Sequence, residues 1–224
     1  MANPYRYLPE LRGLVLAYER SWVLVTALVT LTMMWQVQHS PADEASKLGG
    51  LGRVTNFEMT DIAGRSHEQS AWRDTKGVVI VFLGIQCPIS NGYAQELARL
   101  AEYSAARGVG FLGIHGDPDV TTEQATTHAR DFGLKFPIIL DPEQVTARQV
   151  GARTMPEAVV LRPSGEVIYR GRIDDRYASI GRQRVAATRH DLQLAIDAVV
   201  ANKLPEIAET KAIGCQLPRP STKN

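Results

Sequence analysis

The sequence predicts an α/β domain with a mixed central sheet and helices on both faces. Three observations carry that expectation. The β-branched run Val78–Leu83 (VVIVFL) is followed by a helical stretch and a second apolar strand, Val109–Ile114, which makes a βαβ unit with parallel strands. The later pair Glu157–Leu161 and Val167–Arg170 is joined by the turn PSGE and so runs antiparallel. A last amphipathic helix, Thr188–Asn202, completes the order βαβα then ββα, which sets helices on both sides of a mixed sheet.

The chain has 224 residues, with 25 Lys+Arg against 24 Asp+Glu and a formal charge of +1. That balance argues against a nucleic-acid binder running on bulk charge. At 44% hydrophobic and 22% charged, the composition excludes a collagen-like, disordered or coiled-coil chain. Two cysteines are too few for a disulfide scaffold, but they suffice for a redox pair, one bridge or two unrelated thiols.

Taken from the N-terminus, Trp22–Val37 (WVLVTALVTLTMMWQV) carries no charge and has tryptophans near both ends. Aromatic rings there suit the headgroup level. The run is a little short of the roughly 20 residues that span a bilayer, and the neighbouring hydroxyl residues extend it. Arg6, Arg12 and Arg20 precede it. A single-pass anchor over 22–38, with residues 1–21 in the cytoplasm, fits best. A cleaved signal peptide and a buried helix are the alternatives, although the run is apolar on all faces rather than along one stripe. Residues 39–52 are small, polar and Gly-rich, which reads as a linker. The folded domain is then expected over 53–204 on the extracytoplasmic side, where disulfides persist.

Within that domain, Thr55–Arg65 (TNFEMTDIAGR) alternates apolar and polar residues into a Gly turn, the pattern of an edge hairpin. Ser90–Arg107 reads as a helix with Tyr93, Leu97, Leu100, Ala101 and Ser104 on one face, stopped by Gly108. Thr121 and Gln124 form a capping box for a helix running to Phe132. Pro137–Leu140 is a short strand and Glu143–Val150 a short helix. Residues 205–224 have no periodicity and are rich in proline, so they are expected as an extended tail that carries Cys215.

Cys87 stands in FLGIQCPISN, after the most apolar strand and directly before a helix. Ligands in α/β sheets bind at the carboxyl ends of strands. The free N–H groups and dipole of a helix N-terminus favour thiolate over thiol, and thiolate is the nucleophile. Pro88 suits the first helical turn. A buried cysteine acting as a small hydrophobe is the plainer alternative. The second landmark is Pro156, in Arg153-Thr154-Met155-Pro156 before the strand Glu157–Leu161.

A βαβ unit with a cysteine before its helix and an X-Pro opening a later strand resembles the thioredoxin fold. More closely, the segment from about Leu51 to Leu217 resembles the peroxiredoxin-like branch of that superfamily, of redoxin or alkyl hydroperoxide reductase/thiol-specific antioxidant type. The residues carrying this are FEMTDIAGR at 57–65, VFLGIQCPISN at 81–91, FPIILD at 136–141, ARTMPEAVVL at 152–161, YRGRIDD at 169–175 and AIGCQ at 212–216. The resemblance implies that Cys87 is the attacking cysteine and Pro156 a cis proline, with Pro88, Ser90, Asn91, Arg153 and Thr154 shaping the site. Two departures bear on activity. The Pro and Thr that a peroxiredoxin carries seven and three residues before its cysteine are Ile80 and Gly84 here, so the hydroxyl that polarises a peroxide is missing. The second cysteine of a thioredoxin Cys-x-x-Cys is Ser90, so the local dithiol is missing too.

Cys215 is then the expected resolving partner, provided the tail reaches Cys87; a free tail thiol or a bridge to another chain are the alternatives. His115 ends the strand Val109–Ile114 and is expected on the same sheet edge, as a base, a hydrogen-bond partner of the thiolate or a plain loop-end histidine. Together with Cys87 and Cys215 it offers soft and imidazole ligands for copper, although the Cys-x-x-x-Cys of copper-delivery proteins is absent, with Asn at position 91. Arg153 is expected either to favour a thiolate or to lie in solvent. The expected function is a membrane-anchored thiol-disulfide oxidoreductase or peroxiredoxin-like enzyme with no cofactor and no metal, acting on a thiol- or disulfide-bearing protein or a peroxide. A non-catalytic metal-delivery or assembly module is the alternative.

Overall fold

A computed structural model of the protein describes residues 50–218. The expected anchor at 22–38, its flank 1–21 and most of the linker 39–52 lie outside the described residues. Among the described residues no helix is long and apolar enough to cross a membrane.

The chain opens with an antiparallel hairpin, β1 (Glu58–Thr60) and β2 (Ser66–Glu68). Asp61 closes its turn by accepting from the Ala63 and Arg65 N–H groups, the Arg65 guanidinium and the His67 ring. A 3-10 helix, Gln69–Asp74, leads into β3 (Gly77–Leu83), which is buried along its whole length. Then follow α1 (Pro88–Gly92), α2 (Ala94–Ala105), β4 (Val109–His115), α3 (Thr122–Asp131), β5 (Ile138–Leu140) and α4 (Val145–Val150). The second half holds β6 (Thr154–Met155), β7 (Glu157–Leu161), β8 (Val167–Gly171), the hairpin β9 (Tyr177–Ser179) and β10 (Arg182–Gln183), α5 (Asp191–Val200) and β11 (Cys215–Gln216).

The central sheet has the order β5-β4-β3-β7-β8. β3 pairs in parallel with β4, and β4 with β5; β7 is antiparallel to both β3 and β8. This is a thioredoxin-like α/β fold with a mixed sheet. Alternate residues of β3 feed two cores, because strand side chains point to opposite faces. Val79, Val81 and Leu83 pack with Leu97 and Leu100 of α2 and Leu192 and Ile196 of α5. Val78, Ile80 and Phe82 pack with Phe57, Trp72 and the α4 residues Ala147 and Val150.

One local reading changes. The helix expected from Ser90 to Arg107 is two helices, because Tyr93 N–H bonds the Ser90 carbonyl three residues back rather than four. Its ring turns inward and its hydroxyl donates to buried Asp174 at 2.6 Å. The acids of the 170–176 stretch are largely buried: Asp174 and Asp175 join Asp191 inside, with Arg172 on Asp191 at 2.6 Å.

Candidate active site

β3 ends at Leu83, and a four-residue loop delivers Cys87 to the carboxyl edge of the sheet. Cys87 caps α1, with Pro88 in its first turn. The loop is braced from within the helix it precedes. The Ser90 hydroxyl accepts the Gly84 N–H at 3.2 Å, and the Asn91 amide donates to the Ile85 carbonyl at 2.9 Å. The Asn91 amide oxygen is therefore left to accept from His128 Nε2 at 2.9 Å. Ser90, standing where a second thiol would be, thus holds the turn beneath Cys87.

Cys87 is only 2% exposed, and its sulfur is held by two partners. It donates to the Met155 carbonyl at 3.1 Å and accepts from Cys215. The expected bond from a helix N–H to this sulfur is not among those formed, because α1 is short and its cap side chain turns toward β6. The polar environment of the sulfur therefore comes from β6 and the tail rather than from its own helix.

The Met155–Pro156 peptide bond is cis. The loop before it is held by Glu157, whose Oε2 accepts the N–H groups of Arg153 at 2.7 Å and Thr154 at 3.0 Å. Burial pushes the Glu157 carboxyl up, and those two N–H donors pull against it. Arg153 contributes its backbone: its N–H goes to Glu157 and its carbonyl accepts the Leu217 N–H at 2.9 Å. Its side chain is exposed, as the solvated reading of that residue had it. Glu157 was not singled out from sequence. Its signal is an acid opening a fully buried strand straight after a proline, which demands a nearby donor.

The tail reaches the site. β11 lies antiparallel on β6, with Cys215 opposite Met155 and Gln216 opposite Thr154. This brings the two sulfurs to 2.6 Å, within reach of the S–S bond of about 2.05 Å. Gly214 is what permits the approach: a Cβ there would lie 2.0 Å from the Met155 oxygen. Burial pushes the Cys215 thiol up to about 11, and the adjacent Cys87 adds to the shift.

His115 is fully buried but does not face the sulfurs. Its Nδ1–H donates to the Leu83 carbonyl at 3.1 Å and its ring meets His128 edge-on. Burial, with His128 beside it, lowers it to about 4, so it is a neutral core histidine at pH 7. The expectation of a thiolate partner gives way because the side chain at the end of β4 turns back onto β3. Cys87, Cys215 and His115 do not converge as a ligand set; among the described residues the one group of three that does is Glu96, Asp174 and His190. At Gly84, where a peroxiredoxin has threonine, an added Cβ would meet Cys87 Cβ at 3.1 Å and the Met155 thioether at 3.2–3.3 Å. The Met155 thioether thus crowds the space beside Gly84 that a longer side chain would need.

A model of a family described as AhpC/TSA matches residues 52–170, just over half of the chain. Among curated proteins, the thiol-disulfide oxidoreductase ResA of Geobacillus kaustophilus is 28% identical over 113 residues, covering 50% of this chain and 63% of that protein. ResA of Halalkalibacterium halodurans is 25% identical over 117 residues, covering 52% and 64%. The chain thus spans less than two thirds of the length of these relatives. Among solved structures, a hypothetical protein from Sinorhizobium meliloti 1021 superimposes with a TM-score of 0.67 at 24% identity, over 77% of this chain and 94% of that one. An uncharacterized conserved protein from Geobacillus kaustophilus gives 0.67 at 24%, over 76% and 93%. At that identity these two likenesses speak to the fold.

Proposed function

The chain belongs to the AhpC/TSA family, and from that premise we propose that it is a thiol-disulfide oxidoreductase with Cys87 as the attacking and Cys215 as the resolving cysteine. The observation that carries the reading is the 2.6 Å approach of two sulfurs 128 residues apart, beside a cis proline. Cys87, as thiolate, attacks one sulfur of a partner's disulfide; the other partner sulfur leaves as thiolate and takes a proton from water. Cys215 then loses its proton and attacks Cys87 Sγ in the mixed disulfide, and the second partner sulfur leaves. The partner disulfide is reduced to two thiols while the Cys87 and Cys215 thiols become one disulfide. Run backwards, the same steps oxidise a partner dithiol.

Deprotonation of Cys215 is timed by this order. Burial and the neighbouring Cys87 both hold the thiol up. Once Cys87 is tied in a mixed disulfide it carries no charge and no longer accepts the Cys215 hydrogen bond, so part of that hold is released when resolution is needed. Disulfide rather than peroxide is the favoured substrate, since Gly84 supplies no hydroxyl and the Met155 thioether crowds the space beside it.

The same reading places an anchor at 22–38, a cytoplasmic segment at 1–21 and the redox domain outside the cytoplasm. The supporting features are the uncharged run Trp22–Val37 and the arginines before it. Cell fractionation with protease protection of the intact chain tests it: a domain digested from the cytoplasmic side overturns the orientation. The chemistry is tested by treating the reduced full chain with a disulfide and, separately, with hydrogen peroxide, and mapping its peptides under non-reducing conditions. A Cys87–Cys215 bridge formed faster by the disulfide is expected. An unmodified Cys87 would sink the enzymatic reading.

A further inference from the structure

Two buried histidines take no part in the exchange steps, yet both end on the loop that carries Cys87. His115 donates to the Leu83 carbonyl at 3.1 Å, where that loop begins. His128 reaches the loop through Asn91. Its Nε2 lies 2.9 Å from the Asn91 amide oxygen, and the Asn91 amide nitrogen donates to the Ile85 carbonyl at 2.9 Å. The donors in this chain are fixed by chemistry. The two carbonyls only accept, so His115 carries its proton on Nδ1, and Asn91 turns its nitrogen to Ile85 and its oxygen to His128. His128 must then carry its proton on Nε2. The remaining nitrogens, His115 Nε2 and His128 Nδ1, are buried and meet no hydrogen-bond partner among the described residues. Burial lowers both rings below the ordinary histidine value, and a neutral ring has one N–H. Each ring therefore commits its single donor to the Cys87 side. Neither gives it to the other, although their centroids are 5.2 Å apart.

We propose that His128 is a positioning residue for disulfide exchange: acting through Asn91 it holds the Ile85 carbonyl, and so fixes where Cys87 Sγ stands relative to Cys215. His115 holds the same loop at its other end, at Leu83. This rests on the Cys87–Cys215 exchange proposed above and adds the side chains that give its second step its geometry. An amide by itself presents either its oxygen or its nitrogen to a neighbour. With the Asn91 oxygen toward Ile85, two acceptors would face each other and the loop would lose its hold. The His128 N–H decides between the two orientations. The helix that carries it is otherwise turned outward: Ala125 and His128 are the buried residues of α3, so the one long side chain this helix sends inward is the one that meets Asn91. Closing a disulfide needs the attacking sulfur in line with the bond it breaks, and a misplacement of about 1 Å costs on the order of a hundredfold in rate.

The test uses the reduced full chain and dithiobis-nitrobenzoate, a disulfide that releases coloured thiolates. Cys87, as thiolate, attacks one sulfur and expels the first. Cys215 gives its proton to buffer, attacks Cys87 Sγ and expels the second, leaving the Cys87–Cys215 disulfide. Two thiols are oxidised and one reagent disulfide is reduced. The second phase is intramolecular and reads the placement of the two sulfurs; Cys215→Ser shows the first phase alone. His128→Leu is expected to slow the second phase about tenfold, and His128→Gln, whose amide N–H stands in for Nε2–H, to restore it to within about threefold. Asn91→Ala is expected to slow it as His128→Leu does, and adding His128→Leu to Asn91→Ala to change it less than about twofold, because the path to the loop is already cut. Additive slowing in the double variant overturns the proposal, as does a glutamine variant that unfolds cooperatively in urea yet stays slow. An unchanged second phase in Asn91→Ala overturns it even where His128→Leu does not fold; that residue is only partly buried. In all these cases the exchange reading stands. No second phase in the unsubstituted chain removes the exchange reading and this proposal together.

Discussion

Gly214→Ala isolates the contribution of tail docking to the redox pair. The added methyl would lie 2.0 Å from the Met155 oxygen and 2.6 Å from its carbonyl carbon, both backbone atoms of the strand it pairs with. The strand must lift. An antiparallel residue pair exchanges two backbone bonds, and with the Leu217 bond that makes about three, each worth about 1 kcal/mol net. Losing about 3 kcal/mol corresponds to roughly a 150-fold fall in the equilibrium constant for closing Cys87–Cys215. The assay is a glutathione redox titration of the full chain, with the bridge quantified by peptide mass. The five-stranded sheet does not include β11, so cooperative unfolding of the domain should persist in the variant. A closing constant within about threefold of the unsubstituted protein would refute the reasoning, since it would mean that β11 pairing does not set the approach of the sulfurs.

Three further outcomes follow from the same geometry. Gly84→Thr restores the peroxiredoxin hydroxyl but presses on Cys87 and Met155; it should slow disulfide exchange about tenfold, the cost of roughly 1.4 kcal/mol of overpacking, with no gain in peroxide consumption as read by peroxide loss. Burial would raise Asp61, but its bonds from His67, Arg65 and Ala63 outweigh that and hold the carboxyl at about 2. Its stabilisation of about 2 kcal/mol is present above pH 4 and fades as pH falls toward 2, so Asp61→Asn should lower the urea midpoint at pH 7 and leave little difference at pH 2. His115, lowered to about 4 by burial, is neutral when folded, whereas the unfolded chain takes up a proton near pH 6.5. Stability should therefore fall by about 2–3 kcal/mol between pH 6.5 and 4; an unchanged urea midpoint across that window would contradict the buried neutral state.

Much of the framework was legible because it is written in local patterns. The run Val78–Leu83 is apolar on both faces and becomes a strand covered on both faces. Thr121 and Gln124 make the capping box that their spacing predicts. The position of Cys87 between that strand and a helix follows from chain order alone. What periodicity could not show is where side chains turn once elements pack. His115 ends its strand as expected, yet its ring swings onto the Leu83 carbonyl. Arg153 stands beside the cis proline, yet it serves through its N–H and carbonyl, which any residue but proline offers. Tyr93 fits a continuous helical face and still breaks the helix, because its hydroxyl is drawn to an aspartate 81 residues away.

The tail divides the two kinds of information most sharply. The sequence by itself determined that a second cysteine exists, that it follows the last helix, and that its proline-rich surroundings form no regular element of their own. Only the tertiary structure decided that this segment becomes a strand on β6 with its sulfur against Cys87. The physical reason is that a two-residue strand has no stability of its own. Its hydrogen-bonding groups are satisfied by an edge contributed 60 residues earlier, and its approach is allowed by one missing methyl group at Gly214. Propensity is a property of neighbours in the chain, whereas this pairing is a property of neighbours in space.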